Sequence, residues 1–302
     1  MDNLTHSLTG ALIGQAGFKR KTGLAMPALI IGANLPDVDA ACFFWLEGTE
    51  HLAFRRGITH GPIALVLLPL VLAALLWGWD RWQARRGKRP EKRLPVHFGW
   101  LYALSLIGCL THPALDWMNV YGIRLLEPFS SQWFYGDVLF IIDLWLWLAM
   151  GIGLWLSLRR EKRGGDWRKV ARTVLGLCGL YLVANHAISE LDRQENSAFV
   201  ETISSPPPLV FWERESIGVG GGGSFFIDGE KVGNALLSDC DLAAARAQDP
   251  QVDAFLFWSR TPVLDHRDDG TWRLSDARYY SVEDGRFSVT LPDGLCSEPG
   301  AE

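Results

Sequence analysis

Long apolar stretches alternate with short polar segments over the first 190 residues of the chain. A helix needs roughly 17–25 residues to cross the hydrocarbon core of a bilayer. Five stretches reach or approach that length: Leu24–Leu46, Gly61–Trp79, Phe98–Leu115, Val138–Leu158 and Val170–Ser189. A sixth, Leu4–Phe18, is short. It is predicted to cross the membrane as a tilted helix or where the bilayer is locally thinned, or to form a re-entrant helix. The pattern therefore predicts a mainly α-helical, polytopic membrane bundle of about six helices.

The pattern changes after residue 194. The segment ISSPPPLVFWERESIGVGGGGSFFIDG contains a proline run and a glycine run, which are typical of linkers and turns. Short strand-like stretches follow, namely AFLFWSR, TWRLSDARYYSV and RFSVTLP, with turn sequences such as RDDGT and EDGR between them. We therefore expect a membrane-embedded helical domain over residues 1–194 and a small antiparallel β domain over residues 195–302.

Basic residues predict the orientation of the helices. Three short segments are rich in Lys and Arg, at residues 18–21, 80–93 and 159–169. Short loops of this kind stay in the cytoplasm. With six crossings, all three segments fall on one side. Both termini and the C-terminal domain then lie outside, in a periplasmic compartment of a bacterial cell.

Composition supports this division of the chain. The 14 Trp residues include several at the edges of apolar stretches, as in the aromatic belts of membrane proteins. The net charge is +6 over residues 1–194 and −11 over residues 195–302. The acidic C-terminal domain is therefore not expected to bind nucleic acid or anionic lipid. Its outside location permits a disulfide between Cys240 and Cys296, although two cysteines 56 residues apart could also remain free.

Ionisable residues collect at the predicted outer ends of the helices. His112 and Asp116 lie four residues apart, so that one helical face can present both. Asp37 and Asp39 follow Pro36, which should break the second helix and free backbone groups near them. The full set on this side is His6, Asn34, Asp37, Asp39, His60, His112, Asp116, Asp137, Asp143 and His186.

Such groups are costly in a membrane unless they are paired or bind a metal, and they usually mark function. Imidazoles and carboxylates are the ligands that zinc and similar divalent ions prefer. Two other interpretations remain open. A single His or Asp at a helix end is often an interfacial residue, and the carboxylates could form structural ion pairs with Arg55, Arg56 or Arg124.

Several motifs resemble the membrane-bound metal-dependent hydrolases of bacteria, which include LexA-regulated inner-membrane hydrolases. They are MDNLTHSLTGALIG, GANLPDVD, RRGITHGP, THPALDWMNVYGIRLLEPFS and WFYGDVLFIIDLWLW, and they cover about residues 1–190. The order of His and Asp residues is more distantly similar to that of zinc-dependent phospholipase C. The resemblance implies a multi-pass inner-membrane protein whose metal-site residues are His6, Asp37, Asp39, His60, His112 and Asp116. Asp137 and Asp143 match the later acidic motif of these hydrolases, whereas the C-terminal domain lies outside the resemblance.

The sequence thus predicts a hydrolase that depends on a divalent metal, with Zn²⁺ favoured. Asp137 or Asp143 would be a catalytic base, a further ligand or a group that orients a histidine. The site's location suggests a phosphoester or lipid-linked substrate at the outer face, with membrane lipids as partners and no nucleic acid. Two alternatives use the same residues. A metal or proton transporter would need a polar path through the inner halves of the helices, and a structural membrane protein would not need so many histidines.

Overall fold

The apolar stretches of the first 190 residues fold into helices. The long ones are α1 (Asn3–Gln15), α2 (Ala25–Asn34), α4 (Pro62–Arg85), α5 (Phe98–Trp117), α6 (Leu144–Lys162) and α7 (Trp167–Glu195), and α3 (Glu50–Phe54) is short. Single 3₁₀ segments precede or follow them at Phe18–Arg20, Leu35–Phe44 and Ile58–His60. The prediction of a mainly helical first part is confirmed.

The computed structural model describes residues 1–280 and 285–297, and the chain divides into two units. The first unit comprises Met1–Val38, Arg56–His186 and Pro208–Phe211. The second comprises Asp39–Arg55, Ala187–Pro207 and Trp212–Glu302. A segment from the N-terminal half of the chain therefore belongs to the unit that contains the C-terminal sheets.

The number of membrane-spanning candidates differs from the predicted six. Within the described residues, four helical segments are long and apolar enough to cross a membrane: Ala25–Phe44, Pro62–Arg85, Phe98–Trp117 and Trp167–Glu195. Helix α1 has 13 residues, which give a length of only about 20 Å. Helix α6 has an apolar part that ends at residue 158, because Arg159, Arg160, Glu161 and Lys162 form its last turn.

Pro36 has the predicted effect on the second apolar stretch. Helix α2 ends at Asn34, and the chain continues as the 3₁₀ segment Leu35–Phe44. Proline lacks the N–H that would continue the α-helical ladder, and its ring clashes with the preceding turn. The tighter 3₁₀ turn changes the direction in which Asp37 projects from the end of α2.

Helix α2 packs very closely against α5. A Cβ added at Gly32 would lie 2.6 Å from the Ser105 carbonyl oxygen, and one added at Gly108 would lie 2.5 Å from the Leu29 carbonyl oxygen. Small residues allow the backbones of membrane helices to approach in this way. Buried apolar residues continue the same contact, including Ala25, Ala28, Leu29, Leu101 and Leu104. The contact fixes the end of α2 against the end of α5.

Helices α1, α6 and α7 form a second apolar cluster in the first unit. Its buried members include Leu12 from α1, Leu146 and Met150 from α6, and Ala171 and Cys178 from α7. The two clusters hold α1 between α2 and α6. The N-terminal end of α1, which carries His6, is thereby fixed within the bundle.

The second unit contains two antiparallel sheets. One has the order β1 (Glu201–Ser205), β2 (Glu215–Val219), β3 (Phe225–Ile227) and β4 (Glu230–Val232). The other has the order β5 (Pro262–His266), β6 (Trp272–Asp276) and β7 (Ser288–Thr290). Their shared core includes Ile203, Ile217, Phe225 and Val263. The predicted antiparallel β structure of the C-terminal part is confirmed.

Two helices were not predicted in this part of the chain. They are α8 (Leu242–Gln248) and α9 (Pro250–Trp258). The stretch AFLFWSR, predicted to be strand-like, supplies the end of α9 instead. Its helical start lies just upstream, where the Asp249 carboxylate accepts a hydrogen bond from Gln251 N and Pro250 occupies the first turn. Both features favour a helix start. Helix α3 packs on α9, and Thr49 Oγ1 donates to the Gln251 carbonyl oxygen at 2.8 Å.

Two further features stabilise the second unit. Cys240 and Cys296 form a disulfide, which decides between the two possibilities that the sequence left open. Asp276 is fully buried and accepts hydrogen bonds from Arg278 Nε at 2.7 Å and Ser259 Oγ at 2.6 Å. Burial opposes ionisation of this carboxyl, but Arg278 and the hydrogen bonds hold its pKa below the usual range. The stability that this carboxylate contributes is therefore present above about pH 4 and is lost as the pH falls toward its folded-state pKa.

The close contact between α2 and α5 makes a testable prediction. Gly108→Ala places a methyl group against the Leu29 carbonyl oxygen. We expect it to lower the stability of the detergent-purified protein by about 1–3 kcal/mol, the usual cost of overpacking. Gly99→Ala lies in the same helix with no atom within 4 Å of the added Cβ. It should be neutral or stabilise by up to about 1 kcal/mol, because Ala favours a helix more than Gly does. Equal shifts of the thermal unfolding midpoint in the two variants would contradict the close packing.

Candidate metal centre

Four of the predicted site residues converge in the first unit. Asp37, His60, His112 and Asp116 each offer one ligand atom, and these atoms all lie within 4.8 Å of one another. Each residue comes from a different turn or helix end, apart from the pair on α5. The sequence separates the first and last of them by almost eighty positions. The fold therefore brings together a group that could hold a metal ion.

Helix α5 contributes two members from one face. His112 and Asp116 are completely buried, and His112 Nε2 lies 3.5 Å from Asp116 Oδ2. His112 Nδ1 lies 2.7 Å from the Ala33 carbonyl oxygen. Since a carbonyl can only accept, Nδ1 carries a proton, and in the neutral imidazole Nε2 then has the lone pair. This Nε2 makes no hydrogen bond within the described part of the chain. The arrangement is typical of a metal-binding histidine, whose second nitrogen is fixed by a hydrogen bond.

The other two members come from 3₁₀ segments. Asp37 follows Pro36 at the end of α2, and its Oδ1 lies 3.7 Å from His112 Nε2. His60 ends the segment Ile58–His60, just before α4 begins at Pro62. Its Nδ1 lies 3.0 Å from Thr59 Oγ1, and its Nε2 lies 3.7 Å from Asp116 Oδ2. Both side chains thus direct a potential ligand atom toward the pair on α5.

His6 lies beside this group of four. Its ring stacks on that of His112 with the centroids 3.8 Å apart, and its Nε2 is 3.4 Å from Asp116 Oδ1. The side chain is fully buried, and among the described residues neither ring nitrogen has a partner in hydrogen-bond geometry. A buried imidazole without such a partner is unfavourable by about 1–3 kcal/mol. His6 is therefore available to a ligand that the site would bind.

The three remaining candidates are Asp39, Asp137 and Asp143. Asp39 belongs to the second unit, where its Oδ1 is 3.6 Å from Arg55 Nε. Asp143 is the N-cap of α6, where it accepts hydrogen bonds from Leu146 N at 2.8 Å and from Tyr181 Oη at 2.9 Å. Asp137 is buried next to the end of α5, since the following Val138 N donates to the Met118 carbonyl oxygen at 2.8 Å. None of the three is in the group of four, and their proposed chemical roles stay predictions.

Arg56 forms an ion pair with the fully buried carboxylate of Asp116. Its Nε lies 3.0 Å from Asp116 Oδ2, and its Nη1 donates to Asn119 Oδ1 at 3.0 Å and to the Gly122 carbonyl oxygen at 3.2 Å. The guanidinium also packs over the Tyr121 ring at 4.5 Å. The Met1 nitrogen contacts Asp116 Oδ1 as well. The sequence predicts Arg56 as a possible ion-pair partner. It does not predict the role of Asn119, for which the one indication is its position three residues after Asp116.

The donor set fits a divalent cation of the zinc type. Two imidazoles and two carboxylates are a combination that zinc binds, and all four are largely removed from water. Arg56 and the Met1 nitrogen both contact Asp116, so the carboxylate of Asp37 is the main charge that a bound cation would balance. The identity of the metal does not follow from the donor set, because other divalent ions accept the same ligands.

Comparison with known proteins identifies the family of the chain. A family model described as "YdjM inner membrane protein" matches residues 1–190. The chain belongs to the YdjM inner membrane protein family. The match covers all four residues of the candidate metal centre and agrees with the apolar helices found in the same region. It supports a membrane protein and gives no support to the resemblance to hydrolases or to phospholipase C. No curated protein and no solved structure matches the chain.

The geometry predicts that metal content depends on α5. His112→Ala and Asp116→Asn each remove one ligand atom while the apolar helices stay intact. Loss of a residue that only hydrogen-bonds to a metal ligand typically lowers metal affinity by about 10–100-fold. We expect loss of a ligand itself to lower the affinity by more than this. Metal per mole of detergent-purified protein measures this after dialysis against a limiting chelator. His97→Ala is the control, since His97 is exposed at the opposite end of the same helix. Full metal retention in both α5 variants would contradict the site.

Proposed function

We propose that the protein is a membrane-bound hydrolase that depends on a divalent metal, with Zn²⁺ favoured. Its substrate would be a phosphoester or a lipid-linked molecule at the outer face of the inner membrane. The observation that carries the proposal is the convergence of Asp37, His60, His112 and Asp116 within 4.8 Å in a membrane-embedded bundle. A buried group of this kind is costly to maintain without a function.

The residues at this site would have separate roles. Asp37, His60, His112 and Asp116 would hold the ion. A divalent ion in such a site supplies Lewis acidity and an activated water at neutral pH. The Ala33 carbonyl accepts a hydrogen bond from His112 Nδ1, and Arg56 orients the Asp116 carboxylate. Asp137, buried next to the end of α5, remains the candidate for a base or an orienting group.

The three arginines that the sequence suggested as ion-pair partners are engaged in ion pairs, and they are therefore not available to bind an anionic substrate group. Arg56 pairs with Asp116, Arg55 with Asp39, and Arg124 with Glu127 at 3.0 Å. Recognition of an anionic substrate group would therefore fall to His6, which borders the ligands. An imidazole there can donate a hydrogen bond to a phosphoryl oxygen.

The connectivity of α4 supports the proposed location of the site at the outer face. His60 lies just before the first residue of α4, and the basic segment at residues 80–93 begins in its last turns. The 24 residues of α4 span about 36 Å, which is more than the hydrocarbon core. The metal-site end and the basic end therefore lie at opposite boundaries of the membrane, and basic loops stay in the cytoplasm. The Cys240–Cys296 disulfide is consistent with an oxidising compartment for the C-terminal unit.

Two variants separate the effect on hydrolysis from the effect on metal binding. Asp116→Asn should abolish both metal binding and turnover. His6→Ala should keep most of the metal but lower turnover by about 10²–10³-fold, the usual cost of removing one hydrogen-bond donor to a developing negative charge. Release of p-nitrophenol from bis(p-nitrophenyl) phosphate, and of headgroup phosphate from phospholipid micelles, would be measured with metal-loaded and chelated protein. His97→Ala serves as the control. Absence of turnover on both substrates by fully metal-loaded protein would contradict the proposal.

The proposed sidedness has its own test. A fluorescent reporter that folds only in the cytoplasm should stay dark when fused to the C-terminus, and one fused within residues 86–92 should be bright. The expected reason is that the basic loop stays inside while the C-terminal unit is exported. A bright C-terminal fusion would contradict the outer location of the site.

A further inference from the structure

A second site lies at the basic end of α6, in the first unit. A cavity of about 590 Å³ is lined by Leu156, Arg159, Arg160, Arg163, Gly165 and Val170. Its volume is within the roughly 300–1,000 Å³ of small-molecule sites. It lies between the end of α6 and the start of α7. The site is separate in sequence from the metal centre and is carried by none of the same residues.

The three arginines of this cavity lack carboxylate partners. Among the described residues, no acidic oxygen lies within ion-pair distance of Arg159, Arg160 or Arg163. The nearby acidic side chains are engaged, because Glu161 pairs with Lys19 and Asp166 accepts a hydrogen bond from Lys169 N. The last turn of a helix favours cations through its dipole, but one or two charges satisfy that preference. The local positive charge is therefore uncompensated.

The other long basic segment is arranged differently. Asp80 lies between two cations there, with its Oδ1 3.0 Å from Arg89 Nε and 2.9 Å from Arg93 Nη1. Arg86 packs over the Trp82 ring at 4.5 Å. Both segments are rich in Lys and Arg, as cytoplasmic loops of membrane proteins are. Arg159 likewise packs over the Trp155 ring at 5.1 Å, but at the end of α6 three guanidiniums without an acidic partner among the described residues line one cavity.

The position of the cavity indicates the kind of ligand that it would bind. Residues 144–158 of α6 are apolar, and Arg159 begins its charged last turn, so the arginines lie at the polar end of an apolar helix. Leu156 and Val170 supply an apolar wall below them. A guanidinium group can bind two oxygens of one phosphate through two parallel N–H···O hydrogen bonds. Basic cavities between membrane helices on the cytoplasmic side are suited to anionic headgroups.

We propose that this cavity binds one anionic phospholipid, with the phosphate of the headgroup on Arg159, Arg160 and Arg163 and an acyl chain along Leu156. The lipid supplies the negative charge that the chain lacks there. It would also bridge α6 and α7 across their short connection. This inference does not depend on the proposed hydrolase activity.

Native mass spectrometry of the full-length, delipidated protein in detergent tests the proposal. Titration with dioleoyl phosphatidylglycerol should give a single-lipid adduct, and dioleoyl phosphatidylcholine should not. The triple variant Arg159→Gln, Arg160→Gln, Arg163→Gln should weaken the adduct by about 100-fold, since each basic residue contributes roughly a factor of five at an anionic surface. The matched control removes three charges from the other basic segment through Arg85→Gln, Arg86→Gln and Lys88→Gln, and it should keep the adduct.

A second variant guards against a change of membrane orientation in the triple mutant. Val170→Trp fills the cavity and leaves every arginine in place, and it should also abolish the adduct. Inorganic phosphate at a concentration equal to the lipid should not compete, because it lacks the acyl chains. Equal loss of lipid in both triple variants, equal binding of phosphatidylcholine, effective competition by inorganic phosphate or an unchanged adduct in Val170→Trp would each overturn the proposal.

Discussion

The buried carboxylate of Asp116 is the constraint on which the site and its surroundings depend. It is completely removed from water at the end of a helix that is apolar enough to span a membrane. Such a charge costs several kcal/mol unless nearby groups compensate it. Arg56 Nε lies 3.0 Å from it, and Arg56 in turn binds Asn119 and the Gly122 carbonyl. One charge thus determines how the segments before α4 and after α5 fold around the end of the helix.

Compensation by Arg56 alone leaves the histidines unexplained. A structural ion pair would need no imidazole, yet His60 and His112 direct Nε2 toward the same carboxylate at 3.7 and 3.5 Å. His6 stacks against His112 and is also fully buried. These distances are too long for good hydrogen bonds. They are compatible with a cation between the groups, because two ligands of one ion lie farther apart than two hydrogen-bonded atoms.

Part of this arrangement could be predicted from the sequence. The four-residue spacing of His112 and Asp116 follows from helical periodicity, and Pro36 indicates where α2 ends. The approach of Asp37 to His112 could not be derived, since it depends on the backbone contact at Gly32 and Gly108. The count of about six spans differs from the four candidates because α1 has only 13 residues and because α6 begins at Leu144, which shortens the apolar stretch predicted from Val138. The stretch AFLFWSR suggested a strand because its apolar and aromatic residues suit one. The preceding Asp249 and Pro250 determine the helix α9 instead.

The central claim is that a metal ion is held by histidines and aspartates at the end of α5. X-ray absorption at the zinc edge of the purified, zinc-loaded protein tests it most directly. The account predicts nitrogen and oxygen neighbours at about 2.0–2.2 Å, with the outer-shell scattering of about two imidazole rings. A shell dominated by sulfur at about 2.3 Å, or a shell without imidazole scattering, would contradict it.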